Sequence, residues 1–471
     1  SFSTGSQLSG TANTMDVDVT VDGESIVVSW IEAGTSTDGT YVLKARSSAN
    51  GGSSFNSEIT VSSADDADVN AVRSTNDGGN NFYISWTRTD NNDNLNIVVA
   101  RSANSGTSWN SAVEIDGVGD DEQRGLAFID ADSSKIVALW VDVYDEDGAS
   151  SDPDIYGSYS SNDGSSWTNL EEIGSDQYYE ADSFAPALAY SNDYVYAVYW
   201  DGGDNDPEGD TNGNDVMNDD GDIFFRRSAD DGENWDDVIV ISNSDTDGMT
   251  YDPPSYSSYY YAYYRSDIAA SGSNVYVVWS NYDYDNAQYE IRFSKSTNSG
   301  NTWSDVSIIS SSSANTINSY GPTITANGNE VYVAWQEYSS DTTGFTYNIV
   351  SRHSSNSGSS WDSATTVTDS DGTHYIPEIA YSNDVVHLTW HAYNTDGNAQ
   401  YTIEYASSDD DGDSWELQTI HSPSSSGAWS WFPNIATDED NVYVVWQDDD
   451  WDANGIFDME VILKKSDDNG E

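Results

Sequence analysis

The sequence predicts an all-β fold, an eight-bladed β-propeller built from four-stranded antiparallel blades. Three observations carry this prediction. A glycine-containing turn motif recurs seven times in phase, an alternating strand that ends in tryptophan recurs eight times, and no segment has the periodicity of an amphipathic helix. Divided by eight, the 471 residues give about 59 per repeat, which suits one four-stranded blade.

The turn motif reads S-x-[ND]-x-G-x-x-[WF], and its copies begin at Ser48, Ser102, Ser160, Ser228, Ser296, Ser354 and Ser408. We expect the glycine to adopt positive φ, and the Ser and Asn or Asp side chains to bond the turn's own backbone. We expect the final aromatic residue to pack under the hairpin. This structural role is predicted for Ser102, Asn104, Gly106, Trp109, Ser228, Asp230, Gly232, Trp235, Ser408, Asp410, Gly412 and Trp415.

The second repeated string is the strand that ends in tryptophan, and it runs in phase with the turns. A further short string precedes it, as in APALAY at 185–190 and FPNIAT at 432–437. Each repeat therefore reads as first strand, turn, tryptophan strand, variable loop, third strand, glycine turn and fourth strand. We expect the strand tryptophans to form the core between blades; they are Trp30, Trp86, Trp140, Trp200, Trp279, Trp335, Trp390 and Trp446.

The two chain ends together spell one more turn motif. The C-terminal copy supplies Ser466, Asp468 and Gly470, and Phe2 supplies its aromatic position when the termini are joined. We therefore predict a single domain over 1–471, in which residues 1–9 close a last blade formed by about 430–471. The alternative is that residues 1–9 complete a neighbouring copy and build filaments or a surface layer, although tethering favours closure within one chain.

The repeated turn resembles the Asp-box, or bacterial neuraminidase repeat, of sialidases and other propellers, and the resemblance spans the whole chain. It implies that the box lies between the third and fourth strands, on the edge away from the usual active site. Sialidase chemistry would need three axial arginines, a Tyr–Glu pair and an Asp acid–base. Arg73, Arg124 and Arg265 are the candidate trio, but they align with Ala436, Pro433 and Phe432, which are three different registers.

Composition limits the function classes. The chain has 82 acidic and 15 basic residues, a net charge of −67, which excludes a nucleic-acid binder and argues against anionic lipid. No apolar run approaches the ~18 residues of a membrane span. There is no cysteine, and 17 Trp, 32 Tyr and 11 Phe supply a core. The acidic surface needs counter-cations, which either high salt or an extracellular medium that contains calcium would supply. We expect an extracellular or cell-surface location.

Calcium is the predicted cofactor. The segment 450–458 reads D-x-D-x-N-G-x-x-D and offers Asp450, Asp452, Asn454 and Asp458 as oxygen ligands. A longer loop offers Asp204, Asp206, Glu208, Asp210 and Asp215 at spacings like those of an EF-hand. The alternative for both is a solvated acidic loop. His374 and His391 are a weaker zinc hypothesis, set against simple packing.

Two aromatic insertions are the candidate ligand sites on the loop edge. One holds Tyr260, Tyr261, Tyr264 and Arg265, and the other holds Trp429 and Trp431. Such rings stack on sugars or on proteins, or they cap the central channel. The leading function is a secreted, calcium-binding structural or adhesive module that binds glycan, protein or copies of itself. The alternative is a secreted sialidase-type glycoside hydrolase, and no catalytic residue is assigned.

Overall fold

The chain folds into strands and tight turns, and the residues that the structure describes contain no helix. The computed structural model describes residues 1–10, 13–33, 40–63, 68–89, 95–116, 123–125, 127–144, 152–168, 171–174, 183–201, 222–242, 247–248, 266–283, 288–310, 317–341, 344–368, 372–394, 400–423, 428–449 and 459–470.

Eight successive units repeat the same strand pattern. Their first strands are β2 (Thr14–Asp22), β6 (Asp68–Asn76), β11 (Phe128–Asp132), β15 (Ser183–Ser191), β20 (Ser266–Ser271), β24 (Ile317–Asn327), β28 (Thr373–Ser382) and β32 (Ser430–Asp438). Their second strands, which carry the repeated tryptophans, are β3 (Ser25–Ala33), β7 (Phe82–Thr89), β12 (Lys135–Tyr144), β16 (Tyr194–Asp201), β21 (Asn274–Asp283), β25 (Glu330–Asp341), β29 (Val385–Asn394) and β33 (Asn441–Asp448).

The outer strands complete each unit. The third strands are β4 (Tyr41–Ser48), β8 (Leu95–Ser102), β13 (Asp152–Ser160), β17 (Asp222–Ser228), β22 (Gln288–Ser296), β26 (Gly344–Ser354), β30 (Gln400–Ser408) and β34 (Glu460–Ser466). The fourth strands are β5 (Ile59–Thr60), β9 (Val113–Glu114), β14 (Glu171–Glu172), β18 (Ile239–Val240), β23 (Ser307–Ile308), β27 (Thr365–Thr366), β31 (Glu416–His421) and, in unit eight, β1 (Ser6–Gln7). Units three and five add β10 (Gln123–Arg124) and β19 (Asp247–Gly248).

Strand pairing within each unit is antiparallel, in the order first, second, third, fourth. Units six and seven join into one sheet through a single parallel bridge between Tyr347 and Thr373. The prediction of an all-β protein built from four-stranded antiparallel sheets is confirmed. β1 departs from chain order, because Ser6 pairs with Leu463 and Gln7 with Ile462 of the last unit.

The core lies between the faces of neighbouring units, because each second strand is buried on both sides. All eight strand tryptophans are buried, and seven of them are less than 2% exposed. Val27 and Ile31 of unit one pack in one cluster with Ile84 of unit two. On the other face of unit one, Trp30 packs in a cluster with Tyr443 of unit eight.

The first strands lie side by side, each in contact with the first strand of the next unit. Units one and eight are also adjacent, because the Asn434 side chain donates a 2.7 Å hydrogen bond to Asp18. The turns between third and fourth strands and those between first and second strands share one edge, here called the turn edge. The second strands end and the third strands begin on the opposite edge, here called the loop edge.

Candidate functional site

The turn edge carries the repeated S-x-[ND]-x-G segments, called box turns below. In unit two, Ser102 Oγ accepts the Gly106 N–H at 2.8 Å and donates to Asn104 Oδ1 at 2.9 Å. The same Asn104 oxygen accepts the backbone N–H of Ser108 at 2.9 Å. Trp109 then packs against the cluster shared by units one and two. The side chains therefore satisfy the turn's own backbone, as a structural motif requires.

The acidic copies of the box turn repeat this pattern. Ser228 and Ser408 accept the N–H groups of Gly232 and Gly412 at 2.7 and 2.9 Å. Asp230 and Asp410 then accept the N–H two residues beyond each glycine, and hydrogen bonds lower the pKa of the Asp410 carboxyl. Trp235 and Trp415 pack on the neighbouring hydrophobic clusters.

Glycine is required in these turns for two reasons. Gly106 has a φ of +76°, a conformation that L side chains rarely adopt. A Cβ at Gly106 would also lie 2.5 Å from Val27 and 2.7 Å from Ser47 of the preceding unit. The turn therefore docks tightly against its neighbour, and a side chain at this position would push the two units apart.

The last box turn is assembled from both chain ends. Ser466 accepts the Gly470 N–H at 3.0 Å, as in the other copies. Asp468 Oδ1 lies 2.6 Å from the N-terminal ammonium of Ser1, which takes the place of the backbone N–H used elsewhere. Phe2 packs on Tyr405 at 4.8 Å, just as Trp303 packs on Phe225 at 4.7 Å.

The loop edge carries a continuous row of aromatic rings across units six to eight. Trp429 stacks on Trp431 with centroids 4.8 Å apart and an interplanar angle of 6°. Trp431 contacts Tyr401 edge-on at 5.5 Å, and Tyr401 lies 6.3 Å from Tyr375. The ring centroids of Tyr375 and Tyr347 are 6.1 Å apart, and those of Tyr347 and Tyr338 are 4.9 Å apart. We call this row the aromatic belt; its members are Trp429, Trp431, Tyr401, Tyr375, Tyr347 and Tyr338.

Exposure differs along the aromatic belt. Trp429 is 45% exposed, whereas Trp431 and the four tyrosines are half-buried. The Trp429 backbone is fixed on both sides, because its N–H donates to Asp449 Oδ1 at 2.6 Å and its carbonyl accepts the Asp449 N–H at 3.0 Å. A fixed ring with one open face can stack on a flat ligand.

Sequence reasoning identified the two tryptophans of the belt and missed its four tyrosines. Tyr338 and Tyr347 face each other across β25 and β26, and Tyr375 and Tyr401 lie near the starts of β28 and β30. A tyrosine recurring at strand ends near the variable loops was the available signal. The other predicted aromatic group, Tyr260, Tyr261, Tyr264 and Arg265, lies outside the described residues.

The arginine alignment expected from the sequence is wrong. Arg73 pairs with Ser85 and Asn434 with Val445, each the residue directly before a strand tryptophan, so Arg73 is level with Asn434 and not with Ala436. Its guanidinium lies 3.4 Å from Asp16. The backbone of Arg124 pairs with Asp142, two residues after the strand tryptophan, which makes it level with Ser430 rather than Pro433.

His374 and His391 of unit seven lie on opposite sheet faces, which rules out the zinc pair predicted from them. His391 is the partner of Tyr375 in the ladder, so His374 points to the other face. His374 Nδ1 accepts the Trp390 indole N–H at 2.9 Å. His391 stacks on Tyr375 at 5.1 Å, and burial lowers its pKa to about 3. Both side chains therefore pack as part of the sheet.

The predicted calcium ligands at 204–215 and 450–458 lie outside the described residues, but the strands that flank both loops are described. Asp201 faces Asp222 across the base of the first loop, and each is 1% exposed. Asp448 faces Glu460 across the base of the second loop, with exposures of 0% and 1%. Asp448 accepts hydrogen bonds from Ser430 and Trp446 and lies 2.6 Å from His421.

Comparisons with known proteins give distant structural likenesses. No family model matches the sequence, and no curated protein matches it. A polysaccharide lyase, Uly1, is 11% identical, with a TM-score of 0.49, over 84% of this chain and 88% of that one. A lectin from Burkholderia pseudomallei is 13% identical, with a TM-score of 0.44, over 88% and 97%. A Hadza microbial sialidase is 12% identical, with a TM-score of 0.39, over 69% and 63%.

These TM-scores are below 0.5, so the fold described above rests on this chain's own strand pairing. The described residues include no helix long and apolar enough for a membrane span.

Proposed function

We propose that the protein is a closed eight-bladed β-propeller that acts outside the cell as a structural or adhesive module and binds glycans through the aromatic belt. The observation that carries the proposal is the row of six rings, which runs without a break over three units of the loop edge. Tryptophan and tyrosine faces stack on the apolar faces of sugar rings, and their polar edges hydrogen-bond to hydroxyl groups.

Contacts between the first and last units support a closed ring. Asp18 of unit one accepts hydrogen bonds from Ser74 of unit two and Asn434 of unit eight, so one carboxylate lies between three units. Leu8, which is 1% exposed, packs in the cluster that joins units one and eight. Pairing of β1 with β34 covers an edge that would otherwise be open to other chains.

Trp429 provides the most direct test of glycan binding. We expect the native chain to be retained on immobilised glycans and the Trp429→Ala protein not to be retained, because that substitution removes the most exposed ring. Leu417→Ala is the matched control: Leu417 is 43% exposed but lies on β31, at the outer strand of unit seven. Equal binding by native chain and Trp429→Ala on every glycan tested would contradict the proposal.

Calcium at 450–458 and 204–215 is part of the same proposal. Like charges directly opposite each other in a ladder are destabilising, and both loops begin and end at such carboxylate pairs. A bound divalent cation would offset this repulsion. It would also orient the belt, because Asp449, which holds Trp429, directly precedes the second loop.

Chelation tests the calcium proposal. Because an ion that binds only the folded state stabilises it by mass action, removing calcium should lower the melting temperature. Asp452→Asn combined with Asp458→Asn should reduce the shift on re-addition, while Asp409→Asn, a surface change on the turn edge, should not. An unchanged melting curve, with no metal in elemental analysis, would contradict it.

Two further functions differ in their support. The sialidase-type alternative gains none from the described arginines, since Arg73 is paired with Asp16 and the other two candidates have no described side chain. Self-association by strand exchange remains a proposal: the segment Ser1–Ser9 lies against β34 of its own chain, and the same pairing would form between two copies.

A further inference from the structure

Three metal-ligating side chains meet on the turn edge between units six and seven. Glu330 begins β25, His353 is the penultimate residue of β26, and Asp411 lies in the box turn of unit seven. One ligand atom from each lies within 4.8 Å of the others. No local spacing in the sequence marks this group, because 23 and 58 residues separate its members.

The imidazole is held in a fixed orientation. His353 Nδ1 lies 3.0 Å from Asp362 Oδ2, and Nε2 lies 2.7 Å from Glu330 Oε2. The ring is 4% exposed and stacks on Tyr332 at 4.5 Å. The Tyr332 hydroxyl in turn donates to Asp411 Oδ1 at 3.2 Å. A carboxylate on one imidazole nitrogen, with the other nitrogen directed at ligands, is the usual arrangement around a protein-bound metal.

Other units place a permanent cation at the position of His353. The residue before the box serine is Arg101, Arg227 and Lys295 in units two, four and five. Lys295, for example, donates to the Ser357 carbonyl and the Ser359 hydroxyl of the next unit. These side chains tie units two, four and five to the turn of the following unit.

Charge distinguishes the unit-six position from the others. Three carboxylates, those of Glu330, Asp362 and Asp411, surround one imidazole. The three carboxylates carry three negative charges, and a divalent cation bound among them would offset two of these charges.

We propose that Glu330, His353 and Asp411 bind a divalent transition metal of the zinc type, and that Asp362 orients the imidazole. Mixed imidazole and carboxylate ligands suit zinc, whereas calcium takes oxygen ligands. The Glu330 side chain is 33% exposed and Asp411 is exposed, so the metal can enter from solvent. The metal would clamp unit six to unit seven, as arginine and lysine do between other units.

Zinc titration of the full-length chain tests the site, with calcium present throughout to fill the acidic loops. We expect the native chain to bind Zn²⁺ in this titration, and we expect the His353→Lys protein not to bind Zn²⁺ at this site. Lysine supplies the cation that unit five uses, so His353→Lys should keep its melting temperature in chelator. Asp362→Asn should weaken Zn²⁺ binding about 10–100-fold, because it disturbs only the orientation of the imidazole.

A second pair of variants keeps the test decisive if His353→Lys fails to fold. Asp411→Asn removes one ligand from an exposed turn, and Asp409→Asn makes the same charge change in that turn outside the site. We expect Zn²⁺ affinity to fall only for Asp411→Asn. Absence of Zn²⁺ binding by the native chain, or equal affinity in Asp411→Asn and the native chain, would overturn the proposal. Neither result would bear on glycan binding at the loop edge.

Discussion

The turn edge and the loop edge are formed by the same strands but differ in how regularly their contacts repeat from unit to unit. On the turn edge, all eight copies of the box turn make the same hydrogen bond from the glycine N–H to the serine Oγ, with lengths between 2.7 and 3.0 Å. On the loop edge the repeated bond is less regular: a side-chain oxygen after the fourth strand accepts a third-strand N–H in units one, two, four, five and six. Units six to eight carry aromatic rings on this edge, while units four and eight carry facing carboxylates. The repeated box turns support the fold, and the loops that vary between units are where a ligand can bind.

The effects of substitutions on the free energy of unfolding should differ between the two edges in the same way. The box serines are buried and accept the glycine N–H of their own turn, so removing the Ser102 hydroxyl leaves the buried Gly106 N–H without a partner. The most exposed belt ring has an open face, so its loss should change binding more than stability. Five predictions test this contrast.

Deletion of residues 1–9 should have the largest effect. It removes the β1–β34 pairing, the buried Leu8, and the ring of Phe2 on Tyr405. We expect loss of cooperative unfolding in thermal melts followed by circular dichroism. A stable monomer that no longer self-associates in sedimentation would instead indicate strand exchange between copies. If neither stability nor association changes, the last unit does not depend on the N-terminal strand.

Trp279→Ala should cost roughly 3–5 kcal/mol of unfolding free energy. The ring is 1% exposed and packs in the cluster that joins units three to five, so truncation leaves a cavity between sheets. Urea denaturation gives the change. A loss no larger than that of Trp429→Ala would contradict the assignment of strand tryptophans to the core.

Asp130 should make stability depend on pH. Burial raises the pKa of its carboxyl from 3.8 to about 6, against hydrogen bonds from the Ala131 and Tyr190 N–H groups. The folded state therefore binds the proton more tightly than the unfolded state, and this group's contribution to stability falls as pH rises from about 4 through 6.

Asp130→Asn should remove that decrease. The measurement is the unfolding free energy of both proteins by urea denaturation across this pH range. The matched control is Asp410→Asn: hydrogen bonds lower the pKa of the Asp410 carboxyl, so its contribution is lost only as pH falls further. An identical pH profile for the native chain and Asp130→Asn would show that Asp130 does not titrate differently in the two states.

Ser102→Ala should cost about 1–3 kcal/mol, because it leaves the buried Gly106 N–H without its acceptor. Thr107→Ala, in the same turn, removes only an exposed side-chain bond to the Asn104 carbonyl and should stay within about 0.5 kcal/mol. Comparable losses at the two positions would mean that the turn contributes through its conformation and not through the serine.

Sequence periodicity was sufficient to predict the strands, the buried tryptophans and the pairing of the chain ends, because each depends on residues within one repeat or at one repeat spacing. The exact pairing of first-strand residues with second-strand residues could not be predicted from the sequence. The connection between first and second strands has five residues after Asn76 but two after Asp438, so counting along the two repeats does not preserve register, and Arg73 lies two positions from its expected level.

Contacts between units were also beyond sequence reasoning. The belt joins Tyr338 to Trp429, and the proposed zinc-type site would join Glu330 to Asp411, over separations of 91 and 81 residues. Both depend on the distance and rotation between adjacent sheets, which no local spacing encodes. The sequence identifies the two belt tryptophans because they interrupt a repeated pattern, but it does not show which rings they contact.

Trp429→Ala should have the smallest effect on stability and a large effect on binding. Its ring is 45% exposed and rests on Trp431, so its removal exposes one face of that partner and costs at most about 1 kcal/mol. Trp431→Ala should cost more, because that half-buried ring lies between Trp429 and Tyr401. Urea denaturation and glycan retention measured on the same samples separate the two roles. A Trp429→Ala protein that binds glycans normally but is destabilised as much as Trp279→Ala would place this tryptophan in the core and remove the distinction between the two edges.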